Sequence, residues 1–218
     1  MSLRINDTAP NFTADTTAGP ITLYEWMGDG YAILFSHPKD FTPVCTTELG
    51  VMAGMMDEFA KRDCKILGIS VDSVESHIEW LRDIEKASGH RVEYPMIGDP
   101  DLAIAKLFDM LPTEAGTTSD GRTEADNQTV RSVFLIGPDK RIKLILTYPT
   151  TAGRNFDEVL RALDAIRLTE EHKVSTPANW SQGDDVIIAA AVSDDEAVQR
   201  FGRFDAVLPY LRKTAQPS

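Results

Sequence analysis

The sequence predicts an α/β layered fold built on a mixed sheet. Apolar strand-like runs alternate with amphipathic helical stretches through the first half of the chain. A two-strand hairpin follows, and a further helix closes the series. "YAILF" at 31–35 is a continuous apolar run ending at a proline turn, the pattern of a strand buried on both faces. From 46 to 61, "TTELGVMAGMMDEFAK" spaces Leu49, Met52, Met56 and Phe59 three and four residues apart, which predicts one helix with a single apolar face. "KILGISV" at 65–71 reads as a second strand. "SVESHIEWLRDIEKASG" reads as a helix ending before Gly89, with Ser73 and Ser76 both eligible as N-cap. The turn "GDPD" precedes a short helix from Ala103 to Phe108. "VRSVFLIGPDKRIKLILTYP" is two strands joined by a Gly-Pro-Asp-Lys turn, and "NFDEVLRALDAIRLT" lines Phe156, Leu160, Leu163 and Ile166 on one helical face.

Residues 111–129 are polar and read as a surface loop. Beyond Thr169 the pattern loosens to one strand candidate (186–192), a short helix and a polar tail. The chain therefore divides into a main domain, 1–168, and an extension, 169–218. The extension has little apolar material for a core of its own, and is expected to pack on the main domain or on a partner subunit.

Composition narrows the function classes. The charge balance is 22 − 34 = −12, which argues against nucleic-acid or anionic-membrane partners. No apolar run approaches the roughly 20 residues of a membrane span, and the start "MSLRINDTAP" lacks the apolar core of a signal peptide. Two cysteines in 218 residues do not make a disulfide framework, so a reduced, cytoplasmic protein is expected.

One of those cysteines sits in "SHPKDFTPVCTTELG", 36–50, where the first strand turns into a helix. Thr42-Pro43 reads as an N-cap followed by proline at the first helical position. Cys45 then falls in the first turn, where unpaired N–H groups and the helix dipole favour a thiolate. Three chemistries fit a lone activated cysteine. A disulfide oxidoreductase would carry Cys-x-x-Cys, but "TTE" follows Cys45. A cysteine hydrolase needs a base and an orienting group; His37 is available, and spacing points to no acidic partner. A peroxidase needs a thiolate, hydrogen-bond donors for the peroxide oxygens and a cation, with no metal or cofactor, and it comes closest to this segment. A non-enzymatic redox sensor or chaperone, with Cys45 as its switch, is the alternative from another class.

Pro38, Thr42 and Cys45 form Pro-x-x-x-Thr-x-x-Cys, which resembles the active-site motif of the peroxiredoxins. With "YPTTAGRNFDEVLR" downstream and "TPANWSQGD" near Pro177, the chain resembles the one-cysteine peroxiredoxins, the peroxiredoxin 6 branch of the AhpC/TSA family, over nearly its whole length. The resemblance implies a thioredoxin-like fold with a small C-terminal extension. It implies a thiol-specific peroxidase of antioxidant defence, acting on hydrogen peroxide and small organic hydroperoxides. The enzyme would be regenerated by an external thiol and would assemble as a homodimer, in some members as larger rings.

Residue by residue, the resemblance makes Cys45 the peroxidatic cysteine and Thr42 the hydroxyl that bonds thiolate and peroxide. Pro38 shields the sulfur from water, and Arg131 in "TVRSVFLI" holds the thiolate and orients substrate. His37, Val44 and Arg154 support the pocket. Some members carry a lipase-type activity on a Gly-Asp-Ser motif and a histidine; here "GDGYAILF" puts Gly30 at the serine position, and Tyr24 stands at the histidine position. No cysteine follows Cys64, so no C-terminal resolving cysteine is present.

Overall fold

The structure is a computed structural model that describes residues 3–112 and 128–217. Two compact units are formed, Met1–Phe156 and Asp157–Ser218. In the first unit the chain runs β1 (Thr13–Ala14), β2 (Ile21–Thr22), α1 (Leu23–Met27), β3 (Tyr31–Ser36), α2 (Pro43–Gly54), α3 (Met56–Ala60) and β4 (Cys64–Ser70). It continues with α4 (Val74–Ser88), β5 (Met96–Gly98), α5 (Ala103–Leu107), β6 (Arg131–Ile136) and β7 (Ile142–Tyr148). The five-stranded sheet has the order β5-β4-β3-β6-β7, with β3, β4 and β5 parallel and β6 and β7 antiparallel to their neighbours. This is the mixed α/β sheet expected.

β3 is buried along its whole length, which is why its sequence is continuously apolar. Ala32 and Leu34 join a cluster with Leu67, Ile69, Phe108 and Phe134. Phe35, pointing the other way, meets Tyr94 and Phe156 edge-on at 5.7 and 6.0 Å. β6 and β7 make the expected hairpin, closed by Lys140 N–H donating to the Gly137 carbonyl at 2.9 Å.

Three details differ from the sequence reading or refine it. The single helix expected over 46–61 is two, broken at Met55, whose N–H bonds both Val51 and Met52 carbonyls. Leu49, Met52 and Phe59 stay fully buried across the break, so the apolar spacing survives a change of helix. Ser73 is the N-cap of α4, its hydroxyl accepting from Ser76 N–H at 3.3 Å, and Gly89 closes that helix at φ 76. β5 has no counterpart in the sequence reading, because three residues, "MIG", are too short to show a period. The expected loop at 111–129 lies mostly outside the described residues.

The second unit contains the rest of α6 (Phe156–His172), then β8 (Val174–Ser175), β9 (Val186–Ile188), α7 (Asp194–Phe201), β10 (Asp205–Leu208) and β11 (Leu211–Thr214), with sheet order β10-β11-β9-β8. It holds more regular structure than its sequence suggests. Most of α6 belongs to this unit, whereas the sequence-based division after residue 168 leaves it with the first. The cause is local: Leu168 shares a small core with Val174, Trp180 and Val186, and Arg161 donates to the Trp180 carbonyl at 3.0 Å.

α2 crosses α4 at Gly50, where a Cβ would lie 2.4 Å from Ser88 Cβ. Gly50→Val should therefore force the two helices apart and cost about 1–3 kcal/mol. Denaturant unfolding of wild type and variant checks this; equal midpoints would show that the crossing is loose.

Candidate active site

β3 delivers the chain to a turn, residues 37–42, that starts α2. Thr42 is extended (φ −116°, ψ 146°) and Pro43 occupies the first turn, as the sequence predicts. Thr42 does not cap with its side chain, however: its hydroxyl donates to the Lys39 carbonyl at 2.8 Å. The first i→i−4 bond of the helix runs from Thr46 N–H to Thr42 C=O at 3.0 Å. Val44 and Cys45 come before it, so their N–H groups have no acceptor within the helix. Cys45 is a fully buried free thiol at this helix start, and Pro38 is buried in the turn.

Arg131, the first residue of β6, donates through Nη1 to Cys45 Sγ at 3.3 Å and to Glu48 Oε2 at 2.7 Å. Its Nε and Nη2 both donate to the Thr150 carbonyl, at 2.8 and 2.6 Å, which fixes the plane of the guanidinium. Arg154 does not reach the sulfur. It brackets Glu48 instead, with Nε and Nη2 at 2.9 and 2.8 Å from the carboxylate and its backbone N–H at 2.8 Å. Nη1 of Arg154 donates to the Ser132 carbonyl at 2.8 Å, and the guanidinium stacks over Phe35 and Phe156 at 5.3 and 5.2 Å.

Glu48 is the residue the sequence reading missed. It lies one turn after Cys45 on the buried face of α2 and joins both arginines. Burial alone would raise its pKa, but the Arg154 hydrogen bonds and the two guanidinium charges outweigh that and hold the carboxyl below its usual range. The only sequence signal was an acidic residue on an otherwise apolar helical face.

The His37 side chain bonds Asp40. Its Nε2 lies 2.7 Å from Asp40 Oδ1, while Nδ1 is buried and has no hydrogen-bond partner among the described residues. His77, from α4, approaches the other oxygen of Asp40 at 2.7 Å. The ligand atoms of His37, Asp40 and His77 lie within 4.8 Å of one another, close enough to suggest a metal site. Two direct hydrogen bonds already join these three side chains.

Gly30 and Tyr24, the positions of the lipase-type motif, offer no nucleophilic pair. A Cβ at Gly30 would lie 2.5 Å from the Asp63 carbonyl oxygen, and the Tyr24 hydroxyl donates to the Ala9 carbonyl at 2.5 Å. Cys64 opens β4 opposite Tyr31, whereas Cys45 lies beyond Ser36 at the other end of the same strand pair. Six residues of strand separate the two ends, on the order of 20 Å.

A thioredoxin-like sheet that holds a buried thiol against a guanidinium, at a helix start with free N–H groups, has the parts of a thiol peroxidase. Comparison with known proteins gives the same class. The AhpC/TSA family pattern matches residues 5–145, and the C-terminal domain of 1-Cys peroxiredoxin matches 165–203. Peroxiredoxin PRX1, mitochondrial, of Saccharomyces cerevisiae is 51% identical over 214 residues, covering 97% of this chain and 80% of the yeast protein. A solved yeast mitochondrial 1-Cys peroxiredoxin, studied for thiol resolution by glutathione and thioredoxin systems, superposes with TM-score 0.87 at 49% identity, covering 98% and 99% of the two chains. A cysteine-to-serine mutant of peroxiredoxin 6 from Arenicola marina superposes with TM-score 0.91 at 40% identity over all of both chains. The chain belongs to the AhpC/TSA family, in its 1-Cys peroxiredoxin branch. It is an oxidoreductase, a thiol-dependent peroxidase of antioxidant defence. Among the described residues, no helix is long and apolar enough to cross a membrane.

Acid should weaken this architecture in two stages. Burial lowers the pKa of His37 from its usual 6.5, against the opposing pull of Asp40, so the folded state binds its proton later than the unfolded chain does. That contribution is complete above about pH 6.5 and is lost as pH falls through the depressed value. Glu48 behaves alike from its usual 4.5 downward. Thermal midpoints measured against pH should fall first below pH 6.5, and His37→Gln should remove that upper stage. A flat profile between pH 7 and 5 in wild type would contradict the burial of a neutral His37.

Proposed function

We propose that Cys45 is the peroxidatic thiol and that the peroxide is bound between Arg131, Thr42 and the N–H groups of Val44 and Cys45. The observation that carries this reading is the 3.3 Å approach of the Arg131 guanidinium to the sulfur. Cys45 thiolate attacks the terminal oxygen of the peroxide. The S–O bond forms as the O–O bond breaks, and the departing alkoxide or hydroxide takes up a proton to leave as alcohol or water. Arg131 stabilises charge on sulfur and then on the leaving oxygen. Pro38 keeps water from the sulfur, Arg154 holds Glu48 in place, and His37 braces the turn.

The sulfenic acid condenses with an external thiol, releasing water and leaving a mixed disulfide. A second thiol then reduces this to restore Cys45. A glutathione- or thioredoxin-type thiol is the reductant class we favour, on the strength of the yeast protein. The absence of exposed surface on Cys45 favours hydrogen peroxide and small organic hydroperoxides. We assign the chemistry to residues 1–168 and treat 169–218 as the extension. The working form is a homodimer, with larger rings as the alternative assembly, supported by β7 standing at an edge of the five-stranded sheet. Two cysteines in 218 residues suit a reducing cytoplasm, although the yeast relative is mitochondrial; cell fractionation decides.

Cys45→Ser should abolish peroxide turnover, because a hydroxyl is scarcely ionised near neutrality. Arg131→Met should slow both peroxide reduction and alkylation of Cys45 by iodoacetamide, since the cation favours the thiolate that both reactions need. Turnover coupled to reductant consumption measures the first, and alkylation kinetics the second. Full activity in the serine variant would defeat the assignment.

One equivalent of peroxide should give a sulfenic acid and no intramolecular disulfide, because Cα atoms must come within roughly 7 Å to bridge. Intact mass of wild type and Cys64→Ser reports this. A loss of two hydrogens in wild type that is absent in the variant would restore Cys64 as a resolving thiol.

A further inference from the structure

Asp40 accepts three side-chain hydrogen bonds beside the site, and peroxide reduction as described above leaves it unused. Its Oδ1 accepts from His37 Nε2 at 2.7 Å. Its Oδ2 accepts from His77 Nδ1 at 2.7 Å and from the Ser76 hydroxyl at 2.8 Å. Its backbone N–H donates to Asp72 Oδ2 at 2.9 Å, and that carboxylate also accepts from the Ser70 hydroxyl at 2.8 Å. His77 Nε2 faces the Ile97 carbonyl at 3.0 Å. One residue thus ties the end of β3, the first turn of α4 and, through His77, β5 to the turn that starts α2 by its side chain, and the end of β4 by its backbone N–H.

The partners fix where the protons are. The Ile97 carbonyl can only accept, so His77 Nε2 carries hydrogen. Burial would raise the pKa of Asp40, but the hydrogen bonds from His37 and His77 outweigh it and hold the carboxyl far below its usual range. An ionised carboxylate also only accepts, so His77 Nδ1 and His37 Nε2 both carry hydrogen. His77 therefore holds two protons and pairs with Asp40 as a buried neutral couple. His37 holds one, with its bare Nδ1 partnerless among the described residues. The titratable groups facing this couple are His37 and Asp72.

We infer that Asp40 and His77 are positioning residues for peroxide reduction: the carboxylate shared by two imidazoles sets the turn that presents Thr42 and the free N–H groups of Val44 and Cys45. The next residue bears this out. Phe41 is held at φ 53, in the left-handed region a bulky side chain rarely adopts, with its half-exposed ring set 5.9 Å from Trp80. Trp80 in turn lies 5.4 Å from His37. A backbone forced into that region relaxes when its anchor is removed, and Thr42 and Cys45 relax with it.

The inference rests on Cys45 as the attacking group, and its test separates the two. Asp40→Asn can retain a full set of side-chain bonds with one proton fewer on His77: the amide oxygen accepts from His37, the two amide N–H groups donate to His77 Nδ1 and to the Ser76 hydroxyl oxygen, and His77 keeps Nε2–H for Ile97. Asp40→Ala retains none of them. Reaction of Cys45 with hydrogen peroxide in single turnover should be slowed about a hundredfold in Asp40→Ala, as for a catalytic group displaced by about 1 Å. It should stay near wild type in Asp40→Asn. Alkylation by iodoacetamide, which needs the thiolate but no oriented peroxide, should change little in either. Imidazole ¹⁵N spectra at pH 7.5 should show two N–H groups on His77 in wild type and one in Asp40→Asn, a readout that does not depend on Cys45. Equal loss of peroxide and alkylation rates, an Asp40→Asn protein as slow as Asp40→Ala, or a singly protonated His77 in wild type would each overturn the proposal. If Asp40→Ala does not fold, the Asp40→Asn rate and spectra still decide. Loss of the Cys45 assignment would instead appear as undiminished peroxide turnover in Cys45→Ser.

Discussion

Everything at the active site depends on one buried carboxylate. Glu48 sits between two guanidiniums inside the fold, and each of its oxygens is bonded at 2.7–2.9 Å. Two cations meet one carboxylate there, which leaves one positive charge unmatched. The group placed to match it is the Cys45 sulfur, 3.3 Å from Arg131. The site is neutral when that sulfur is a thiolate, and removing charges from water is tolerable only when they are paired and bonded. Without Glu48, two guanidiniums would face one sulfur in a buried space, and Arg131 would be held by its Thr150 bonds alone.

Backbone geometry supplies what charge alone does not. The hydroxyl of Thr42 turns back to Lys39 and leaves the first N–H groups of α2 unpaired, a costly arrangement unless a ligand takes them. The turn before it holds a phenylalanine in the left-handed region, another local cost. Both are offset by the dense bonding around Asp40 and by the close crossing of α2 and α4 at Gly50. Stability is thus concentrated in the turn before the helix and behind it, while the first turn of α2 stays short of bonds.

The sequence made the local features legible and concealed the long-range ones. Cys45, Thr42 and Pro38 lie within eight positions, so a motif can carry them, and proline after threonine announces the helix start. Arg131 was reached only through the family resemblance, because nothing in "TVRSVFLI" tells which carboxylate or thiol a strand-end arginine will meet. Glu48 stood in plain view in "TTELG", but an acidic residue on a helix is ordinarily solvated. Its burial follows from where two arginines, 83 and 106 positions away, return to it. Asp40 and His77 were hidden in the same way, 37 positions apart. The second unit was under-read because strands of two to four residues carry no measurable period.

The topology also explains why one sulfur must suffice. In a parallel β-α-β unit the helix carries the chain from the end of one strand back to the beginning of the next. A cysteine in the first turn of that helix and a cysteine at the start of the following strand therefore sit at opposite ends of the sheet, whatever the loop lengths. Cys45 and Cys64 occupy those two positions: β3 and β4 are in register from Tyr31 opposite Cys64 to Ser36 opposite Ile69, and Cys45 follows Ser36. Bringing the sulfurs together would require unpairing β4 from β3, the central strand of the sheet, with Ile66, Leu67 and Ile69 buried along β4. Opening the first turn of α2, where few bonds hold the chain, costs far less. An incoming thiol thus reaches the sulfenic acid more readily than the chain's own second cysteine does.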